Sequence, residues 1–354
     1  MDFPASYLES RRAFLGLLQG VEAELWQFRC PESGPDDEEL FFDVARIGPS
    51  EATKLLVLST GLHGVEGPVG LPMLQLACQD YARQLAPDVG LLIMHAMDPF
   101  GFAWSRRQDH EGIDLNRNFL LPHEAYDGAS SGYRDLERIL NPPSPPRWDG
   151  FALRAALRVL TMGFGPLKQA IVEGQYEFPR GLFYGGGHPS WTQTILSEHW
   201  ASWIGAASDV MHLDVHSGLG PWGHLQLLGT PPNNSTERNR LLACFSQHAR
   251  DFTTERPVHY HTRGELGRWC QHHLPGIDYR YFCAEFGTYG PFKTLGSLRQ
   301  ELRNWEWGRL EDRPSSAQAA QLREIFCPRD KNWRRRVIEQ SQYVLEGSWK
   351  YLSK

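Results

Sequence analysis

The sequence predicts a single α/β domain, a twisted, mostly parallel mixed β-sheet sandwiched between helices. Three observations carry this reading. Continuous apolar runs such as KLLVLS (54–59) and GLLIMHAM (90–97) suit strands covered on both faces. Between them Leu71, Leu74, Cys78 and Tyr81 recur at helical spacing, which makes a strand, helix, strand unit. The 354 residues contain no Ser/Gly/Pro-rich linker that would divide the chain, so 1–354 is read as one domain.

The elements follow in order. A helix is expected over about 4–19, strands over 40–48 and 54–61, a helix over 68–85 and a strand over 90–99. The breaker NPPSPPRWDG (141–150) is followed by a helical stretch to about 176 and a glycine-rich loop, GLFYGGGHP (181–189). Residues 120–208 are therefore read as an insertion, a lid region bordering a site. A strand over 209–218, the apolar stretch GHLQLLGT (223–230), a helix near 236–250 and a strand over 279–287 complete the sheet. A long C-terminal helix over about 330–352 carries Trp333, Val337, Tyr343, Val344 and Trp349 toward a sheet face.

Composition excludes several function classes. With 41% apolar and 22% charged residues and no apolar run near membrane-span length, neither a membrane protein nor a membrane partner is expected. The first twenty residues begin acidic and turn amphipathic, unlike a secretory signal. A net charge of −6, with one basic knot at 329–336, argues against a nucleic-acid partner. Six cysteines lie far apart and never form C-x-x-C, which points to reduced thiols and a cytoplasmic location. Oligomeric state is not legible.

The chemistry concentrates at strand ends. TGLHGVEGP (60–68) sets His63 and Glu66 three apart in a glycine-rich break after a buried strand. Three further polar sites, GIDLNRNF (112–119), LDVHSG (213–218) and AEFGT (284–288), fall in similar places. Catalytic zinc typically takes three protein ligands and keeps a fourth position open, and His63, Glu66 and His216 supply a His/Glu/His set. Period-two alternation puts His212, Asp214 and His216 on one face of a strand, with only His216 at the carboxyl end. His212 is read as packed behind the site. Asp114 is a candidate carboxylate partner for a metal-bound imidazole.

Glu285, at the end of an otherwise apolar strand, is the candidate base; pairing with an arginine for structural reasons is the competing reading. Arg106 or Arg107 could steady an oxyanion, or either could be a solvated surface residue. Asn116 and Arg117 could grip a substrate carboxylate, or could stitch their own loop. In GQYEFPRGLFYGGGHPSW (174–191), Tyr176, Phe183, Tyr184 and Trp191 could wall a side-chain pocket or pin the loop. His259, His261, His272 and His273 could bind a second metal, but their irregular spacing without a carboxylate pattern reads as surface histidines, and no G-x-S-x-G elbow of a serine hydrolase occurs.

These pieces, in this order, resemble the zinc carboxypeptidase superfamily, which includes carboxypeptidase A-like metallopeptidases and deacylases such as aspartoacylase and succinylglutamate desuccinylase. The GLHGVEG, GQYEFPRGLFYGGGHPSW and HSGLGPWG stretches look like a little-characterised bacterial branch. The resemblance spans about 40–310 and implies one zinc per chain on His63, Glu66 and His216. It further implies a carboxylate clamp of Asn116 and Arg117, Glu285 as base, Arg106 or Arg107 at the oxyanion and Asp114 behind His63. The implied activity is zinc-dependent hydrolysis of an amide bond near a free carboxylate, in a small peptide. Deacylation of an N-acyl amino acid, or carboxylate binding without catalysis, are the alternatives. Three departures bear on specificity. Val65 stands where many digestive members carry arginine, Asp98-Pro99 replaces asparagine-proline, and the substrate-covering tyrosine could be Tyr184, Tyr260, Tyr281 or Tyr289.

Overall fold

Four parallel strands form the centre of a seven-stranded sheet of order β1-β2-β4-β3-β5-β7-β6. The computed structural model describes residues 3–229, 235–248, 262–309, 313 and 316–353. The strands are β1 (Ala23–Arg29), β2 (Phe41–Ile47), β3 (Lys54–Thr60), β4 (Val89–His95), β5 (Asp209–Ser217), β6 (Leu225–Leu228) and β7 (Asp278–Phe286). β3 pairs in parallel with β4 and β5, and β5 with β7; β1, β2 and β6 run antiparallel at the two edges.

The helices are α1 (Tyr7–Leu18), α2 (Gly67–Leu76), α3 (Pro99–Trp104), α4 (Ser131–Leu140), α5 (Phe151–Met162) and α6 (Phe164–Val172). There follow α7 (Trp191–Ile204), α8 (Ser235–Cys244), α9 (Leu266–His272), α10 (Pro291–Trp307), α11 (Ala317–Phe326) and α12 (Lys331–Leu352). Alternation along the strands sends one set of side chains to each layer. Leu56, Leu58, Ile93, Leu213 and Val215 pack under α2 and α12, where Trp333, Val337 and Val344 are fully buried. Leu55, Val57, Leu92 and Val210 pack under α7 and α9 against Trp200, Trp203 and Trp269. The result is one three-layer α/β domain.

The stretch 151–176 departs from the expected continuous helix. Gly163, with φ +81, ends α5 and opens α6, and α6 stops at Val172 before Gly174 at φ +96. Both glycines take a left-handed backbone that a helix interior does not allow. β1 also lies outside the sequence expectation, because its side chains are mostly exposed or half-buried on both faces and form no apolar run.

Sheet topology positions the chemistry. β4 and β5 flank β3, so the loops leaving the carboxyl ends of these neighbouring parallel strands gather on one edge of the sheet. His63 and Glu66 sit in the turn after β3, His216 near the end of β5, and Glu285 near the end of β7. The register sets His216 directly opposite Glu285 and Asp214 opposite Cys283.

Candidate active site

The turn after β3 is built for close approach. Gly61 takes φ +67, and a Cβ on Gly64 would lie 2.0 Å from the Phe102 backbone nitrogen, inside α3. Asp98 caps α3 by accepting from Gly101 N at 2.8 Å, and Pro99 occupies its first turn, so the aspartate serves as an N-cap here. Gly64→Ala must push the ligand turn off α3. It is expected to cost about 1–3 kcal/mol, read as a lower midpoint in denaturant with unchanged slope.

His63, Glu66 and His216 are all buried, and their ligand atoms lie within 4.8 Å of one another. The two imidazoles are oriented alike. His63 turns Nδ1 to Glu66 Oε1 at 2.9 Å and Nε2 to Asp114 Oδ1 at 3.2 Å. His216 turns Nδ1 to Glu66 Oε2 at 3.0 Å and Nε2 to Asp214 Oδ2 at 2.7 Å. Each ring thus has one nitrogen held by an outer carboxylate and the other aimed at a shared inner carboxylate. That pattern fixes the tautomer a metal ligand needs. Asp214 is itself held by Ser59 Oγ at 2.6 Å and Tyr281 OH at 2.7 Å.

Charge in this cluster is unbalanced. Burial opposes ionising Glu66, yet His63 and His216 hold it well below the ordinary carboxylate range. Burial likewise opposes Asp114, but Arg107 and His63 hold it well below its usual value. Asp214 is lowered to about 2 against burial, mainly by His216, while Asp214 and Glu66 raise His216 well above an ordinary imidazole. Glu285 moves the other way, pushed up to about 7 by burial and then by the charge of Glu66. Two imidazoles and a carboxylate, backed by two more carboxylates, form a donor set of the kind that suits a divalent ion.

Glu285 accepts from Leu219 N at 2.7 Å through Oε1, and its Oε2 lies 3.7 Å from Cys283 Sγ. No arginine pairs with it among the described residues.

The two neighbouring arginines separate. Arg107 reaches the cluster, donating from Nε to Asp114 Oδ2 at 2.8 Å with Nη1 3.5 Å from Glu66 Oε1. Arg106 does not. Its fully buried guanidinium lies over Trp305 and bonds Glu301 Oε1 at 2.9 Å. Of the two, Arg107 borders the cavity together with His63, Glu66 and His216.

Asn116 and Arg117 both border the same cavity of about 670 Å³ as His63, Glu66, His216 and Glu285. Both also stitch loops: Asn116 Oδ1 accepts from Leu266 N at 3.1 Å, and Arg117 Nε donates to Val172 O at 2.9 Å.

Tyr184 packs its side chain against the apolar cluster under α7 and is not among the cavity residues. Its backbone is locked by a bridge to Gln175 and by the Asp114 amide, and Phe183, at φ 57, turns its ring into the cavity instead. Tyr176 gives its hydroxyl to Arg117 O, and Trp191 packs into apolar clusters. Of the other tyrosines, Tyr281 borders the cavity with its hydroxyl on Asp214, Tyr289 bonds Glu324, and Tyr260 lies outside the described residues. His259 and His261 also lie outside them, and His273 stacks on Trp269. Val65 packs its side chain in an apolar cluster with Ile325 and Phe326, and its amide donates to Arg106 O at 2.7 Å. His212 is fully buried behind the site between Ser59 and Tyr279.

Sequence reading left Asp214, Cys283 and the cavity's apolar wall without roles. The D-x-H and C-x-E spacings on strands were the available signal for the first two, since period two puts each pair on one face. Leu167 and Ile171 of α6 with Leu295 and Leu298 of α10 form much of the wall, brought there from segments remote in sequence.

Beneath the site, Asp109 accepts from the Glu111 and Ile113 amides at 2.9 and 2.8 Å, and burial pushes its pKa up to about 7. The folded chain therefore holds a proton there that the unfolded chain, with a pKa of about 3.9, has lost. Stability tied to this group is greatest near pH 4 and falls as pH rises to about 7. Asp109→Asn is expected to remove that slope and gain about 1–4 kcal/mol over wild type at neutral pH, checked by denaturant melts of both chains across this range.

No curated protein matches this sequence. Among solved structures the chain is similar to carboxypeptidase A from Helicoverpa armigera, at 14% identity and TM-score 0.46, covering 89% of this chain and 73% of that one. It is similar to bovine thrombin-activatable fibrinolysis inhibitor, solved with tick carboxypeptidase inhibitor, at 14% identity and TM-score 0.47, covering 95% and 98%. A succinylglutamate desuccinylase from Silicibacter sp. TM1040 is similar at 15% identity and TM-score 0.36, covering 81% and 67%. One family description matches nearly the whole sequence, residues 3–340, and the chain belongs to that family, "Protein of unknown function (DUF2817)".

Proposed function

We propose that the protein is a metal-dependent amide hydrolase acting next to a free carboxylate, with one zinc ion held by His63, Glu66 and His216. The observation that carries this reading is the shared orientation of the two imidazoles, each Nδ1 facing Glu66 and each Nε2 fixed by a carboxylate. Zinc in such a set supplies Lewis acidity toward a carbonyl and lowers the pKa of water. Glu285, opposite His216 in the register, takes the proton of the attacking water and returns it to the leaving nitrogen. Its raised pKa, near 7, suits a group that must both accept and donate. Arg107, anchored on Asp114, offers its guanidinium to the developing oxyanion. Arg117 and Asn116 bind the substrate carboxylate, and the wall of Leu167, Ile171, Phe183 and Leu298 takes an apolar side chain or acyl group.

The test is metal content by mass spectrometry, followed by hydrolysis of N-blocked dipeptides beside N-acyl amino acids. Bound zinc with cleavage of either class supports the reading, and the preferred class separates peptidase from deacylase. No zinc retained after supplementation, or zinc without cleavage of any carboxylate-bearing amide, overturns it.

A further inference from the structure

The insertion carries an apolar face turned away from the domain. α5 rests on its neighbours through Ala155, with Phe151, Val159 and Met162 half-buried beside it. On the opposite side Leu153, Leu157 and Leu160 are 67%, 52% and 81% exposed. Spacings of four and three residues put these leucines on one helix face. Trp148, 93% exposed, precedes the helix, and Phe164, 45% exposed, follows it. Scattered exposed leucines are ordinary, but a contiguous patch at the edge of a cavity is not.

Charge tells what such a face meets. From Gly150 to Val172 the chain has Arg154, Arg158 and Lys168 and no aspartate or glutamate, although its net charge is −6. Arg147 stands beside Trp148. Asp149 and Glu173 bound this stretch, Asp149 paired with Arg299 and Arg303, and the cations beside an apolar helix face of Trp, Leu and Phe match an anionic lipid surface. α5 has 12 residues, too few to span a bilayer, so it would lie in the interface plane. A second copy fits less well, because a two-fold contact through this face would bring the arginines of both helices together.

We infer that α5, with Trp148 and Phe164, docks the protein on anionic membrane surfaces through Leu153, Leu157 and Leu160. Phe164 and Phe292 also border the cavity and are both partly exposed, so docking sets the cavity mouth beside the lipid headgroups. The inference does not depend on the proposed hydrolysis.

The test is co-sedimentation of the full chain with vesicles of phosphatidylcholine alone or mixed with phosphatidylglycerol. Wild type is expected to partition onto the mixed vesicles, less so as salt rises. A Leu153→Glu/Leu157→Glu chain is expected to partition about tenfold less, with unchanged circular dichroism because both sites face solvent. Arg154→Glu, which leaves the leucines in place, is expected to lower partitioning about fivefold at low salt. Absence of wild-type partitioning, or equal partitioning of the variants, overturns the inference. So does a wild-type dimer in light scattering that the double variant dissolves, since a second copy then covers the face.

Discussion

Glu285→Gln is expected to lower turnover of a cleaved amide about 10²–10⁴-fold while leaving bound zinc at the wild-type level. The substitution keeps shape and keeps an oxygen for the Leu219 amide, which Oε1 now accepts at 2.7 Å. What it removes is the carboxylate that can hold a proton, in a position where burial and the nearby Glu66 have already raised its pKa to about 7. Glu285 also lies close enough to His216 and Cys283 to share an ion with them, so metal content is the discriminating measurement. Zinc lost together with activity would make Glu285 a ligand, and the assignment as base would fall. Turnover preserved in the Gln chain would reduce the residue to a support for the loop after β5.

The central strands β3 and β4 were legible in the sequence because burial on both faces writes itself as an apolar run, as in KLLVLS. The edge strand β1 was not, since a strand with Glu24, Gln27 and Arg29 exposed across its two faces carries no such run. The polar strand ends stood out for the same physical reason: His216 and Glu285 interrupt apolar segments where a charge is costly. What the sequence left open was direction and distance. Arg106 and Arg107 are neighbours in sequence, yet one lies over Trp305 and the other reaches Asp114; Phe183, at φ 57, borders the cavity while Tyr184 packs under α7. No periodicity reports such single-residue reversals. Asp214 was placed on the right face by alternation, but its bond to His216 depends on Ser59 and Tyr281 from the two flanking strands, which only the sheet order brings together.

That bond leads to the second large effect. His63→Ala and His216→Ala are each expected to reduce zinc to a small fraction of one ion per chain, since either leaves two ligands in a site whose remaining carboxylates still face burial. The outer carboxylates give a graded result that separates metal binding from packing. Asp114→Asn and Asp214→Asn are each expected to weaken zinc about 10–100-fold, because an amide can still meet the imidazole but no longer offsets its charge or fixes its tautomer. Asp114→Asn also releases Arg107 Nε, so its turnover on saturating zinc should remain below wild type. Among the described residues the Asp214 side chain bonds Ser59, Tyr281 and His216 and pairs with no arginine, so added zinc should restore that chain's turnover. Competition against a chelator of known affinity reads both numbers. If Asp214→Asn lowers stability in denaturant without moving zinc affinity, its contact with His216 is a packing bond of the sheet and the carboxylate pair around the two imidazoles loses its meaning.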